Sequence, residues 1–368
     1  MTSKGMVSIP SDLITEILYR LPSKSVGRFR CVSKYWLYLL SSPKFIKTHQ
    51  NTLNRNYLFL HQSCMNGLYF ISFDHRHEET KEEEESIPTK FHLQVPYVNL
   101  SIYGSCNGLV LLLTFGHCSD DVTLTVSNPT TREFVELPDC DFKIEGHRFV
   151  SCRMCGLGYD SVTDDYKVVT INQFQNLIGH DIIMCVHVYS LRRNTWTRVI
   201  DYPDNYRPFS ITSSTFVNGS FHWVAKKVPD QTKVIVAFSL ADENFSEVPS
   251  PTLSYDVDTF YRLCVVDEKL AILSVLDTEV WLMNEYGVKG SWTKIKLHGL
   301  NEIPMIGLPF VFYVNGKLVL ICRGEMLIYD IEYGRLSKRI RNKDPMAYTF
   351  FSCVCVESIV SPRFNTLN

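Results

Sequence analysis

Three short stretches of the chain carry residue types at spacings that could do chemistry. Gly104-Ser105-Cys106-Asn107-Gly108 has the outline of a nucleophile elbow with cysteine in the attacking position. An elbow, however, turns a strand into a helix, and Leu109 to Leu113 reads as a further strand, so the stretch is read as a turn. Cys152-Arg153-Met154-Cys155 has the spacing of half a zinc site, with Cys353, Cys355 or His147 as the residues that would have to complete it. A structural zinc needs a second properly spaced pair, and the chain lacks one, so these are read as thiols in strands. Gly156 and Gly158 open a dinucleotide fingerprint without its third glycine or its helix. No phosphate-binding loop or zinc-protease pair is present. No catalytic residue, no metal ligand and no cofactor is therefore expected. Trp196, Trp223, Trp281 and Trp292 recur at intervals that suit packing between repeated units better than stacking on a ligand.

The elements that must position such residues are bounded by composition. Of 368 residues, 45% are apolar and 21% charged, the usage of a soluble chain with a real core. The net charge of -2 gives no overall footprint for nucleic acid, and no apolar run approaches the length of a membrane span. Asp12 and Glu16 stand where a secretory leader would be apolar. The twelve cysteines are scattered, unlike a secreted disulfide framework, so a cytoplasmic and/or nuclear protein with reduced thiols is expected, without nucleic-acid or membrane partners. Charge is uneven: residues 1–56 carry +7 and the remainder -9, so the front end suits an acidic partner.

The front end also has its own period. Leu13, Ile14, Ile17, Leu18 and Leu21 recur at helical spacing after Pro10 and Ser11; Pro22 stops that helix and Ser23 is placed to cap the next. A second helix carries Val26, Phe29 and Val32, and Ser33 opens a third with Trp36, Leu39 and Leu40, after which Pro43 breaks the pattern. From Asn56 the period becomes that of strands. Asn-Gly pairs at Asn66-Gly67, Asn107-Gly108, Asn218-Gly219 and Asn315-Gly316 mark tight hairpin turns, with equivalents at Asp165 and at Asp267-Glu268. The markers recur about every fifty residues, the length of a four-stranded propeller blade. They predict about six blades, or a seventh if both chain ends contribute one. The acidic run Glu78 to Glu85 reads as a solvated loop, and Phe350 to Ser358 as a strand returning to close the ring.

At this point the residues resemble a known family. Ile9-Pro10-Ser11-Asp12-Leu13-Ile14-Thr15-Glu16-Ile17-Leu18-Tyr19-Arg20-Leu21-Pro22, followed by Lys24-Ser25-Val26, Arg28 to Lys34, Trp36 and Ser42-Pro43-Lys44-Phe45, is similar to the F-box of plant F-box proteins. Ser105 to Leu109, Ser127-Asn128-Pro129-Thr130-Thr131, Gly156 to Asp160, Asp165 to Val169, Val188-Tyr189-Ser190 and Asn218 to Trp223 resemble the kelch-like F-box-associated interaction domain, without the Gly-Gly pair of true kelch repeats. The resemblance implies a small three-helix F-box followed by an all-β, kelch-like propeller, an α+β multidomain chain. It divides as a flexible start (1–5), F-box (6–50), linker (51–56), propeller (57–360) and tail (361–368). It further implies binding to a Skp-type adaptor and through it to a cullin and a RING subunit of a ubiquitin ligase, with the propeller holding an unknown protein substrate.

The physical reading of the helices is compatible with that role. Five buried aliphatics contribute roughly 7–15 kcal/mol gross, against an association cost of about 4–15 kcal/mol. The adaptor-binding set is therefore widened to Pro10, Leu13, Ile14, Ile17, Leu18, Leu21, Pro22, Val26, Val32 and Trp36. Target-binding candidates are the aromatics of five loops at one rim, Phe174, Tyr202, Tyr206, Phe209 and Phe260. The competing expectation is a propeller enzyme or small-molecule-binding propeller with an accessory helical segment, which would gather charged or metal-binding residues at its channel.

Overall fold

The computed structural model describes residues 9–53, 55–62, 67–73, 89–91, 99–115, 122–139, 144–179, 181–208, 214–251, 261–274, 276–300, 310–322, 325–341 and 350–363. Four helices come first: α1 (Ser11–Tyr19), α2 (Ser23–Phe29), α3 (Lys34–Ser41) and α4 (Pro43–Leu53). The expected three helices are thus four. Pro43 opens α4 where a break was expected, because a proline in the first turn has no N–H to lose and its φ already suits a helix. Ser42 caps that start by accepting the Phe45 N–H at 3.3 Å, as Ser33 caps α3 by accepting the Trp36 N–H at 3.2 Å. Ser23 does not cap α2; it is the first helical residue, and its N–H is taken by a distant group described below.

The rest is all-β. In sheet order, the first sheet is Phe350–Val356, Asn56–Gln62, Gly67–Phe73 and Thr89–Phe91, and the second Asn99–Cys106, Leu109–Phe115, Val122–Asn128 and Glu133–Glu136. The third is His147–Asp160, Asp165–Asn176, Ile182–Ser190 and Thr195–Asp201. In the fourth, Ser220–Lys227 pairs with Tyr206–Pro208 and Thr215–Val217 on one side, then come Lys233–Ser239 and Phe245–Val248. The fifth is Tyr261–Val266, Lys269–Ser274, Glu279–Met283 and Trp292–Lys296, and the sixth Phe310–Val314, Lys317–Cys322, Glu325–Asp330 and Arg335–Arg341. The leading strand of each sheet packs against that of the next, and Phe350–Val356 meets both Asn99–Cys106 and Phe310–Val314, which closes the ring into a propeller. The sheet built from both ends of the chain is the first of these, not an additional one.

The hairpin turns adopt the geometry their residues require. Asn107, Asn218 and Asn315 sit at φ near +50° and the glycines after them at +70° to +85°, with Asp267 and Glu268 doing the same without glycine. In five sheets these turns join the first strand to the second; the connection that contains Asn66 joins the second to the third, so that marker is not their equivalent. The five turns share one face of the ring. Asn107 reaches the Tyr166 ring, Lys167 reaches Glu243 beside the Gly219 turn, and Asn56 Nδ2 donates to Asn315 Oδ1 at 3.3 Å. Because neighbouring strands are antiparallel, the connections at 177–181, 203–205 and 228–232 lie on the opposite face.

Apolar clusters fill the spaces between sheets. Gly156 and Gly158 are packing glycines: a Cβ would come within 2.5 Å of the Phe221 ring at one and 2.6 Å of the Phe216 ring at the other, so only glycine lets the fourth sheet close on the third. The tryptophans bridge sheets as expected. Trp196 donates to the Pro138 carbonyl at 2.7 Å, Trp223 to the Tyr202 hydroxyl at 3.1 Å and Trp292 to the Pro249 carbonyl at 2.8 Å. Lys167 ties the third sheet to the fourth, with Nζ 2.9 Å from Asp160 and 3.1 Å from the Leu240 carbonyl. Burial would raise Asp160, but hydrogen bonds from Lys167, Thr163 and Val162 outweigh it and hold the carboxyl below its ordinary range.

Two core histidines make stability acid-sensitive. Burial holds His187 and His222 at about 4, below the ~6.5 of an unfolded histidine. The unfolded chain then binds more protons between those values, so their contribution is full above pH ~6.5 and lost as pH falls towards 4. Urea unfolding at pH 7 and pH 5 is expected to show a loss of about 2 kcal/mol per histidine, and His222→Gln should flatten the slope. Equal stability at the two pH values would contradict this.

Candidate protein-docking surface on the helices

The helices divide their apolar residues between an inside and an outside. Leu18 of α1, Val26 of α2, Leu40 of α3 and Phe45 of α4 form a sealed core with Ile359 from the other end of the chain. Ile14, Leu21 and Trp36 pack partly against it, Trp36 edge-on to Phe29 with ring centres 5.5 Å apart. Leu18 and Val26 are only 2% and 0% exposed, so these two members of the expected adaptor set hold the helices together and offer no surface. The exterior keeps Leu13 (56% exposed) and Ile17 (54%), one turn apart on the same side of α1, together with Ile9, Pro10, Pro22 and Val32. Tyr35 and Tyr38, at i and i+3 on α3, are also exposed, Tyr38 at 81%. The sequence reading passed over both, though their helical spacing relative to the half-buried Leu39 and buried Leu40 was a usable signal.

What holds this unit is polar as well as apolar. His49 Nε2–H donates to the Leu21 carbonyl at 2.8 Å and its ring stacks on Phe45 at 5.8 Å; burial lowers its pKa, which favours the neutral ring. Arg30 donates to the Leu40 carbonyl at 3.0 Å, at the end of α3. The decisive attachment is to residues 357–360. Buried Glu357 accepts the Ser23 N–H at 2.9 Å, at the positive start of α2, and lies 3.5 Å from Arg55. Asn128, in the Ser127-to-Thr131 stretch, donates to the carbonyls of Ser358 (3.0 Å) and Val360 (2.6 Å) while its own Oδ1 accepts the Thr130 N–H at 2.8 Å. Ser105 donates to the Val354 carbonyl. A Cβ on Gly108 would sit 2.1 Å from that of Ser358. The motif residues of the second sheet thus grip the last segment, and that segment completes the helical core.

A small helical unit with an exposed apolar face, fixed to one face of a propeller, is the arrangement the comparisons with known proteins then identify. Residues 6–48 match the F-box domain, and residues 46–362 match the F-box associated beta propeller domain. The chain belongs to this F-box family. Among curated relatives, it is 29% identical to F-box protein CPR1 of Arabidopsis thaliana, over 94% of this chain and 87% of the relative. It is 28% identical to F-box protein At3g07870 of the same plant (79% and 72%) and 24% identical to F-box/kelch-repeat protein At3g23880 (93% of each). The kelch label is carried by the last of these names alone, and the family description is the broader beta propeller.

On the propeller, the expected target-binding aromatics are dispersed. Phe174 and Tyr202 are buried, Phe174 beneath Phe149 with ring centres 5.9 Å apart and Tyr202 beside Trp223, where burial pushes its phenol to about 12. Phe174 is covered by Phe149, its partner across the strand pair, and Tyr202 packs in the cluster between the third and fourth sheets, so neither presents a free face. Tyr206 is half-buried and donates to Glu247 at 3.1 Å. Phe209 and Phe260 lie outside the described residues. The thiols of Cys106, Cys152 and Cys353 are pushed up to about 12 by burial, and those of Cys155 and Cys355 further still, which disfavours the thiolate that a metal or a nucleophile needs. Among the described residues no group of three or more His, Cys, Asp or Glu side chains is placed to hold a metal, and no helix is long and apolar enough to cross a membrane.

Proposed function

We propose that this F-box protein is the non-catalytic substrate-recognition subunit of a Skp, cullin and F-box ubiquitin ligase, acting in the cytoplasm, the nucleus or both. The observation that carries the reading is the exposed apolar set Leu13, Ile17, Val32, Tyr35 and Tyr38 on a helical unit within the F-box match, whose own core is already complete. Apolar side chains left outside a finished core are what a partner would bury. The adaptor would bind there and bring the cullin and RING subunit, while the propeller, read as one blade per sheet, would hold a protein target. Residues 6–50, with the remainder of α4 to Leu53, then serve as the docking unit and 56–360 as the receptor, so the link expected at 51–56 shrinks to two residues.

The mechanism is proximity. Fixing a target beside ubiquitin-transfer chemistry housed in other subunits raises the effective concentration of its lysines, without a reactive group in this chain. The clamp by Glu357 and Ile359 supports this, because a rigid joint sets the distance between target and transfer site more narrowly than a flexible one. Size-exclusion chromatography of the full chain mixed with a purified Skp-type adaptor is the test. Co-elution is expected, and separate elution at micromolar concentrations of both would overturn the reading.

A further inference from the structure

The third sheet is longer than its neighbours. Its leading strand, His147–Asp160, has 14 residues and pairs across two bulges with the 12 of Asp165–Asn176, against 8 in the corresponding Ser220–Lys227 of the fourth sheet. Since its turn at residues 161–164 is level with the other turns on the helix side, the excess, roughly 13 Å at ~3.3 Å per residue, projects from the face turned away from the helices. The projecting part is apolar and open. Phe149 is 58% exposed and Ile178, at the tip between the next two strands, is 99% exposed, with Val150, Leu177 and Ile182 also exposed. Asn176 Oδ1 accepts the N–H groups of Ile178 (2.9 Å) and Gly179 (3.2 Å), an asparagine turn that holds Ile178 outward.

Two further features concern the edge. Among the described residues the stretch 147–152 pairs only with residues 172–176, so its other side has no strand beside it, whereas further along Ser214 donates to the Cys155 carbonyl at 3.4 Å. Natural edges are normally blunted with charge, proline or a bulge; this one has Arg148 and two bulges but also exposes Phe149 and Val150. The register shifts between Phe149 and Ser151 and again between Cys152 and Met154, and such bulges twist a strand and re-aim its side chains. Arg148, exposed on the same stretch, has its Nε and Nη2 on the neutral Gln175 amide oxygen at 3.2 and 2.7 Å and no carboxylate among the described residues.

We propose that this projecting edge captures the target by strand addition: an extended segment of the target protein pairs with residues 147–152, places apolar side chains against Phe149, Val150 and Ile178, and presents an acidic residue to Arg148. Main-chain pairing supplies affinity and alternate side chains supply selectivity, as in other sheet edges that take peptides. The proposal rests on the receptor role given above, and it names the class of target segment.

The test uses the full chain bound to its adaptor and a displayed library of random linear peptides as the probe. Selected peptides are expected to alternate apolar residues around an acid. Phe149→Asp and Ile178→Asp should each weaken them about tenfold or more, equivalent to ~1.4 kcal/mol, as should N-methylation of alternate peptide nitrogens. Val162→Asp, at a position also well exposed but at the other end of the same sheet, should leave binding unchanged. A library that yields no binder, or binders indifferent to Phe149→Asp, Ile178→Asp and N-methylation, overturns the proposal. So does a dimer in sedimentation that Phe149→Asp dissolves, which would give the edge to a second copy. Adaptor binding is measured in the same samples, so loss of the receptor reading is seen separately.

Discussion

Gly108→Ala is expected to lose roughly 2–4 kcal/mol of stability, from overpacking of about 1–3 kcal/mol and about 1 kcal/mol of backbone strain. Gly108 sits at φ +85° in the hairpin turn of the second sheet, where an added Cβ would lie 2.1 Å from the Ser358 Cβ and 2.8 Å from the Val356 carbonyl. Neither obstacle is the far end of a flexible side chain; the segment itself must move. Moving it disturbs the Asn128 hydrogen bonds and pulls Glu357 and Ile359 from the helices. Gly219→Ala is the internal comparison: the same turn geometry at φ +70°, but nothing within 4 Å of the new methyl, so strain alone of about 1 kcal/mol. Urea unfolding of both variants decides the matter. If Gly108→Ala costs no more than Gly219→Ala, the close approach of the last segment is not what glycine is needed for.

The second large effect concerns binding. Leu13→Asp together with Ile17→Asp should reduce affinity for a Skp-type adaptor by at least ~100-fold, since each lost aliphatic contact is worth about 1.5–3 kcal/mol. Both side chains are more than half exposed in the free chain, so unfolding free energy should stay within ~0.5 kcal/mol of the parent. Leu18→Ala should do the reverse at the level of stability, with a cost of about 2–5 kcal/mol for a cavity in the helical core. Titration calorimetry with the adaptor, set beside denaturant curves, separates the two. Undiminished affinity in the double variant would remove α1 from the docking surface.

The contrast between Leu13 and Leu18 also shows how far a sequence can be read. Periodicity placed α1 to α3, and the Asn-Gly pairs placed three of the turns on which the propeller is built, because a positive φ at both central residues is a local demand. The apolar stripe of α1 was too wide to apportion: with Leu13, Ile14, Ile17 and Leu18 adjacent on the helix, only the packed neighbours decide which pair turns inward. Pro43 was ambiguous for a local reason, since the same ring that breaks a helix interior suits a first turn. Phe174 and Tyr202 look like loop aromatics in one dimension, yet a cross-strand phenylalanine covers the first and a cluster between two sheets takes in the second. Glu357 gave no signal at all, because its role depends on a helix start 334 positions away. That the apolar tip around Ile178 stands clear of the ring depends on the lengths of paired strands, which no local pattern carries.

That separation in sequence has a cost during biosynthesis. The helix beginning at Ser23 leaves the ribosome early, but the carboxylate that neutralises its start is translated 334 positions later, a delay of roughly 20–70 s at ~5–20 residues per second. Through that interval the greasy inner side of the hook has no Ile359 to rest on and the wheel has no final strand. Nascent chains of this protein should therefore lean on chaperones throughout translation, and a premature stop codon before Glu357 should yield a product that quality control removes.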